Sequence, residues 1–294
     1  MLLSRNSDMR YKGSAEYFYL LKEVGYEAVD LNETARTDLW LKPEKKSMPY
    51  FERIVNHVQK AGLVIGQCHA PVFDKGWYGF SQEALEEREE CILRCIRGAK
   101  KLGIPYTVVH PIIYAWQWDD PDRAKTFALN LRHLERLTEE AEKYDVDIAL
   151  ENLPGKRGFL TAPAQMQEIL QQVRSARLFV CLDTGHAFSV GETISAFFAL
   201  LEDKIKVLHV HDTFAGIDAH GLPYTGIGDW QDFVSALRTY GYSGTLNSES
   251  NVASKLPPQL RRQAEILECE VLKELRSRIL KSNLEKENVC SEDL

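Results

Sequence analysis

The stretch Leu208–Trp230, LHVHDTFAGIDAHGLPYTGIGDW, places His209, His211, Asp212, Asp218 and His220 within one short segment, although the whole chain holds only eight histidines. Imidazoles and carboxylates at this density can hold a divalent cation or move protons. Further candidates each follow a short apolar run: His69 before Ala70-Pro71, His110 before Pro111, Glu151 in ALENLPG, Asp183 and His186 in CLDTGHA, and Glu249 in LNSES. A lone histidine in such a place is more often a hydrogen-bonded core residue than a ligand, and a lone buried acid can pair with a lysine. The set as a whole is different. Ionised carboxylates are costly to bury without a partner, and no lysine or arginine occupies the strand ends beside Glu151, Asp183 and Glu249. A divalent cation would supply the missing charge, and mixed imidazole and carboxylate donors suit zinc, manganese, cobalt or iron.

The elements that must position these residues follow from periodicity. Short apolar runs at 2–5, 27–31, 63–69, 106–110, 146–151, 178–183, 205–211 and 244–249 predict strands, the first weakly because it lacks β-branched residues. Between them, apolar residues at three- and four-residue spacing predict helices over 14–24, 45–61, 81–102, 122–144, 163–175, 192–203, 229–240 and 257–281. Gly25, Gly62, Gly103 and Gly241 stand where helices end. Strand–helix alternation of this kind predicts an α/β fold, a (β/α)8 TIM barrel, over 1–281 with a polar tail over 282–294. In such a barrel the candidate residues cluster at the C-terminal strand ends, the mouth where active sites of this architecture sit. Only His57 and His133 are predicted within helices.

Composition is ordinary for a soluble globular protein of 294 residues, with 44% hydrophobic and 27% charged residues. A net charge of −7 argues against a general basic surface for nucleic acid; Lys156 and Arg157 form the one close basic pair near the mouth. The six cysteines form no CxxC pair, and Cys91 and Cys95 fit a helix face. The first residues contain no long apolar run, so a cytoplasmic chain with reduced thiols and no membrane span is expected. Gly226 and Gly228 lack the lysine of a phosphate loop and the spacing of a dinucleotide turn. They are expected to allow a tight turn into a helix capped by Asp229, and no nucleotide cofactor is expected. Trp116 and Trp118 could wall a substrate pocket or simply cover the barrel rim.

The motifs CHAP, VVHP, LEN, CLDTGHA, HVHDT, DAHGLPYTGIGDW and SES together resemble the xylose isomerase-like TIM barrels, the superfamily of sugar phosphate isomerases/epimerases and endonuclease IV (AP endonuclease family 2). The resemblance covers essentially the whole chain. For the sugar epimerases it implies one divalent ion held by Glu151, Asp183, His209 and Glu249, with His186 beside the substrate. For endonuclease IV it implies additional ligands of a three-zinc cluster at His69, His110, His186, Asp218 and His220. All of these residues are present.

Three functions are therefore in view. In a sugar or sugar phosphate isomerase/epimerase using one manganese, zinc or cobalt ion, Glu151 and Glu249 would be catalytic and shuttle a proton through a metal-stabilised cis-enediolate. His186, His69, His110, His211, Trp116 and Trp118 would contact substrate. A zinc-dependent abasic-site endonuclease is the alternative, disfavoured by the acidic balance. A non-catalytic sugar-binding scaffold is the third. The partner expected is a small-molecule sugar, neither membrane nor nucleic acid, and a homo-oligomer is left open. His209 and His211 share one face of a strand. His209 lies about 7 Å deeper at roughly 3.3 Å per residue, level with Glu151 and Asp183, and it precedes Asp212 by three, as the family's ligand histidine precedes its acid. His209 is therefore the expected ligand.

Overall fold

Eight strands run parallel, and seven of them are buried on both faces or nearly so; the third is exposed at its start. In the computed structural model, which describes residues 1–72, 81–112, 120–155, 159–215 and 217–281, they are β1 (Leu3–Asn6), β2 (Ala28–Leu31), β3 (Val64–His69), β4 (Tyr106–Val109), β5 (Asp147–Glu151), β6 (Leu178–Asp183), β7 (Ile205–His209) and, after a hairpin of β8 (Asp212–Phe214) and β9 (Ile217–Gly221), β10 (Leu246–Ser248). The sheet order is β10-β1-β2-β3-β4-β5-β6-β7. A bridge between Val210 and Ser248 joins its two ends, with Val210 N donating to Asn247 O at 2.8 Å and Glu249 N to Val210 O at 3.1 Å. The expected (β/α)8 barrel is present.

Period-two alternation sorts the strand residues. Leu3, Val29, Cys68, Val109, Leu150, Leu182, Leu208 and Leu246 join the main apolar core between strands and helices. Val108, Ala149, Cys181 and Val207 form a separate small cluster, inside the barrel. The next residues of that inner set, two positions on, are His110, Glu151, Asp183 and His209, so the apolar floor ends where the polar mouth begins. All expected helices form, the longest being Asp120–Tyr144 and Pro258–Leu280. Gly25, Gly62, Gly103 and Gly241 all have positive φ, the left-handed backbone that closes a helix at little steric cost.

Three local expectations are corrected. The seventh strand ends at His209 rather than His211, because the chain leaves the sheet to form the β8–β9 hairpin, which pairs antiparallel. The fourth and eighth strands stop one residue early, so His110 and Glu249 stand just beyond β4 and β10. His186 is not in a loop: it lies in a helix, Thr184–Val190, capped by Asp183, whose Oδ1 accepts from His186 N at 2.7 Å. Trp116, Trp118, Lys156, Arg157, Cys290 and the tail lie outside the described residues. The other five cysteines are free and buried.

Candidate metal centre at the barrel mouth

The candidates from β3 to β10 converge. Glu151, Asp183, His209 and Glu249 each offer one donor atom, and these atoms all lie within 4.8 Å of one another. His209 Nδ1 is 3.3 Å from Glu151 Oε1 and 3.4 Å from Glu249 Oε1, and 4.0 Å from Asp183 Oδ2. A second group, His69, His110 and Glu151, shares Glu151: its Oε2 is 3.2 Å from His69 Nε2 and 3.0 Å from His110 Nε2. A third group is His186, His211, Asp218 and His220, in which Asp218 Oδ2 is 3.3 Å from both His186 Nε2 and His220 Nε2. Every site candidate within the described residues is thus part of one contiguous cluster.

The electrostatics follow from burial with no lysine or arginine paired to these acids among the described residues. Burial works to raise Glu151, but His209 and then His110 hold it well below the usual carboxylate range. Burial works to lower His186, yet Asp183 and Asp218 push it up to about 10. His220, likewise buried, is pushed up to about 9 by Asp218 and Glu249. Asp218 is lowered by His186 and His220 against its burial. Every shift favours charge separation, so the cluster calls for positive charge from protons or a cation.

His211 stands beside the Asp218 and His220 group. It is fully buried, its Nε2 is 3.0 Å from Asp183 Oδ2, and its ring stacks on His220 at 4.1 Å between centroids. Thr184 Oγ1 donates to its carbonyl at 2.7 Å. Gly185 makes room for it: a Cβ there would stand 2.0 Å from His211 Cε1. Asp212 does structural work. It accepts from Gly226 N and Gly228 N at 2.9 Å each, and from Trp230 Nε1 at 2.9 Å. Gly226 serves close approach to this carboxylate, since a Cβ there would stand 2.5 Å from Asp212 Oδ1, while a Cβ on Gly228 would stand 2.6 Å from Phe188 Cε2. Asp229 caps the following helix as expected.

Three residues at the cluster escaped the sequence reading. Asn6 Nδ2 donates to Glu249 Oε1 at 2.7 Å. Asn152 Nδ2 donates to Asp183 O at 3.0 Å and its Oδ1 accepts from Asp183 N at 2.7 Å, which ties the ends of β5 and β6. Asp30 Oδ2, fully buried, lies 3.4 Å from His209 Nε2. Asp30 carried a signal: it is an acid within the apolar run EAVDL. Asn6 carried none.

A family model, the xylose isomerase-like TIM barrel, matches residues 18–272. The chain belongs to this family. Among curated proteins, it is 29% identical over 185 residues to the uncharacterized protein MJ1311 of Methanocaldococcus jannaschii, covering 62% of this chain and 63% of that protein. It is 28% identical over 156 residues to a probable endonuclease 4 of Oleidesulfovibrio alaskensis, covering 49% and 52%, and 28% identical over 113 residues to fructoselysine 3-epimerase of Escherichia coli O157:H7, covering 38% and 41%. The match thus spans less than two thirds of each of these relatives. Among solved structures, a D-tagatose 3-epimerase-like protein superposes with a TM-score of 0.76 at 22% identity, covering 95% of this chain and 98% of that one. The IOLI protein with a binding zinc atom superposes with a TM-score of 0.70 at 19% identity, covering 95% and 98%. No helix among the described residues is long and apolar enough to cross a membrane.

Proposed function

We propose that the chain is a divalent-metal-dependent isomerase or epimerase acting on a sugar or sugar phosphate. The observation that carries this is the convergence of Glu151, Asp183, His209 and Glu249 on one point. The donor set fits a manganese, zinc or cobalt ion. It comprises three carboxylates and one imidazole, both of whose ring nitrogens are buried with no hydrogen-bond partner and whose Nδ1 is the one facing Glu151 and Glu249. When bound, such an ion polarises a substrate carbonyl and offsets the charge that develops on its oxygen. The proton work falls to the glutamates. One takes the proton from the carbon beside the carbonyl. The other returns it, on the opposite face in an epimerase or on the neighbouring carbon in an isomerase. Glu151 is steadied for this by His69 and His110, and Glu249 by Asn6. His186, His69, His110 and His211 line the mouth as the groups that would orient substrate hydroxyls. The similarities to an epimerase-like structure and to fructoselysine 3-epimerase support the class.

The test uses the full chain, stripped of metal and reloaded with Mn²⁺, Co²⁺ or Zn²⁺, on a panel of free and phosphorylated ketoses and aldoses in D₂O. Metal-dependent exchange of one C–H for deuterium, with a new isomer, is expected. No exchange with any sugar would sink the proposal.

A second reading, zinc-dependent cleavage at abasic DNA, is favoured by a specific observation: the flanking groups His69–His110–Glu151 and His186–His211–Asp218–His220 could hold two further ions. The similarity to a probable endonuclease 4 supports it. The net charge of −7 opposes it, because DNA binding leans on neutralising phosphates. A metal count by anomalous scattering separates the two. One ion and no incision of an abasic duplex at physiological salt is the expected result. Three ions with efficient incision would reverse the ranking.

A further inference from the structure

Four of the histidines around the cluster are oriented in one way. Nδ1 of His69 meets Ala70 O at 2.7 Å, that of His186 meets Asn152 O at 2.8 Å, that of His211 meets Asp212 O at 3.2 Å and that of His220 meets Glu249 O at 3.1 Å. In each, Nδ1–H donates to a backbone carbonyl and Nε2 faces the acids. His209 is reversed. Its Nδ1 faces Glu151 and Glu249, and its Nε2 faces no carbonyl but the Asp30 carboxylate, 3.4 Å away, an ion-pair contact wider than a formed hydrogen bond.

We infer that Asp30 is the positioning residue of the metal site, holding His209 with the proton on Nε2 so that Nδ1 presents its lone pair to the ion. This rests on the metal-dependent reading above. A carboxylate behind a ligating imidazole fixes its tautomer and ring orientation and raises its basicity as a ligand. The surroundings of Asp30 suit this work. Gln67 Nε2 donates to its Oδ2 at 2.8 Å and Asn247 Nδ2 to the same oxygen at 3.2 Å. Both donors are neutral amides, from β3 and β10, so they fix the carboxylate without cancelling its charge. A fully buried aspartate is seldom left unpaired, and the one ionisable group paired with Asp30 among the described residues is His209.

The test follows His209 itself. In the full chain with ¹⁵N-labelled histidine, Zn²⁺ alone is titrated into the metal-free protein. In wild type, His209 is expected to ligate through Nδ1 and keep its proton on Nε2, opposite to its neighbours. Asp30→Asn is expected to weaken zinc binding, read from the His209 resonances, by about 10–100-fold. Its circular dichroism and metal-free melting temperature should stay near wild type. Gln67→Leu, which loosens Asp30 without removing it, should show a smaller loss in the same direction, and it decides the matter if Asp30→Asn does not fold. Ligation through Nε2, or unchanged zinc affinity in the variants while wild type binds zinc, overturns the role of Asp30 and leaves the metal site standing. A wild-type chain that takes up no zinc, manganese or cobalt removes the metal reading and this role with it.

Discussion

Arg5 and Asn6 are neighbours in β1, yet they serve two different acidic clusters. Asn6 points into the barrel and donates to Glu249. Arg5 points out to the helix layer, where its Nε is 2.9 Å from Glu265 Oε2 and 3.2 Å from Glu268 Oε2, and its Nη1 donates to Ser248 O at 3.3 Å. Glu268 in turn accepts from Ser250 Oγ at 3.1 Å. The outer cluster therefore grips the chain on both sides of Glu249. Its cation is a guanidinium, which does not lose its proton in proteins, so its charge is permanent and its role is to hold the chain. The inner cluster of Glu151, Asp183 and Glu249 has imidazoles as its cationic partners among the described residues. An imidazole can give up its proton and become a ligand. Carboxylates thus make a brace in one place and, on the metal-dependent reading proposed above, an exchangeable site in the other, and the difference is the type of base built in.

The comparison breaks first if the inner acids prove dispensable. Glu151→Gln and Glu249→Gln are each expected to lose more than the roughly 10²–10⁴-fold of a simple general base, since each would be ligand and proton carrier. Both should keep a wild-type urea transition, and near-wild-type turnover in either would remove the two-glutamate mechanism.

The inner histidines should then separate by depth. His209→Ala is expected to lose the ion of the four-residue site, and His211→Ala to retain it, as read by metal content after dialysis. The converse would exchange the roles of the two residues.

In the outer cluster, Arg5→Met strips the cation from two buried carboxylates. An unfolding free energy lowered by about 3–5 kcal/mol is expected, the usual cost of breaking a buried ion pair, measured by chemical denaturation. A variant of full stability would show that the brace is not one.

The smallest effect sharpens the comparison through pH. One guanidinium faces two carboxylates, and burial, with Glu265 adding, pushes Glu268 up to about 7 from an ordinary 4.5. Between those values the folded state keeps a proton that the unfolded state has released. The Glu268 contribution to stability is therefore lost as pH rises from about 4.5 to about 7. Glu268→Gln should flatten that part of the stability–pH curve, and a slope unchanged in the variant would assign the titration elsewhere.

The fold was legible because its signals are local. A strand buried on both faces reads as an apolar run, and a helix packed on the barrel reads as a three-to-four repeat closed by glycine. The short hairpin escaped because DTF and IDAHG are too brief and too polar to show a strand period. The helix TGHAFSV escaped because seven residues carry little periodicity, and its start depends on the cap from Asp183.

The sequence by itself determined which imidazoles and carboxylates stand at strand ends, because an abrupt polar residue after an apolar run is visible without knowing its neighbours. His69, His110, Glu151, Asp183, His209 and Glu249 were found in that way. Only the tertiary structure decided which of them share an oxygen, which nitrogen of His209 faces the acids, and that Asn6 and Asp30 belong with them. Those relations exist because barrel closure brings β1 and β2 beside residues more than 170 positions away in the chain, and no local pattern encodes a contact made by closing a ring.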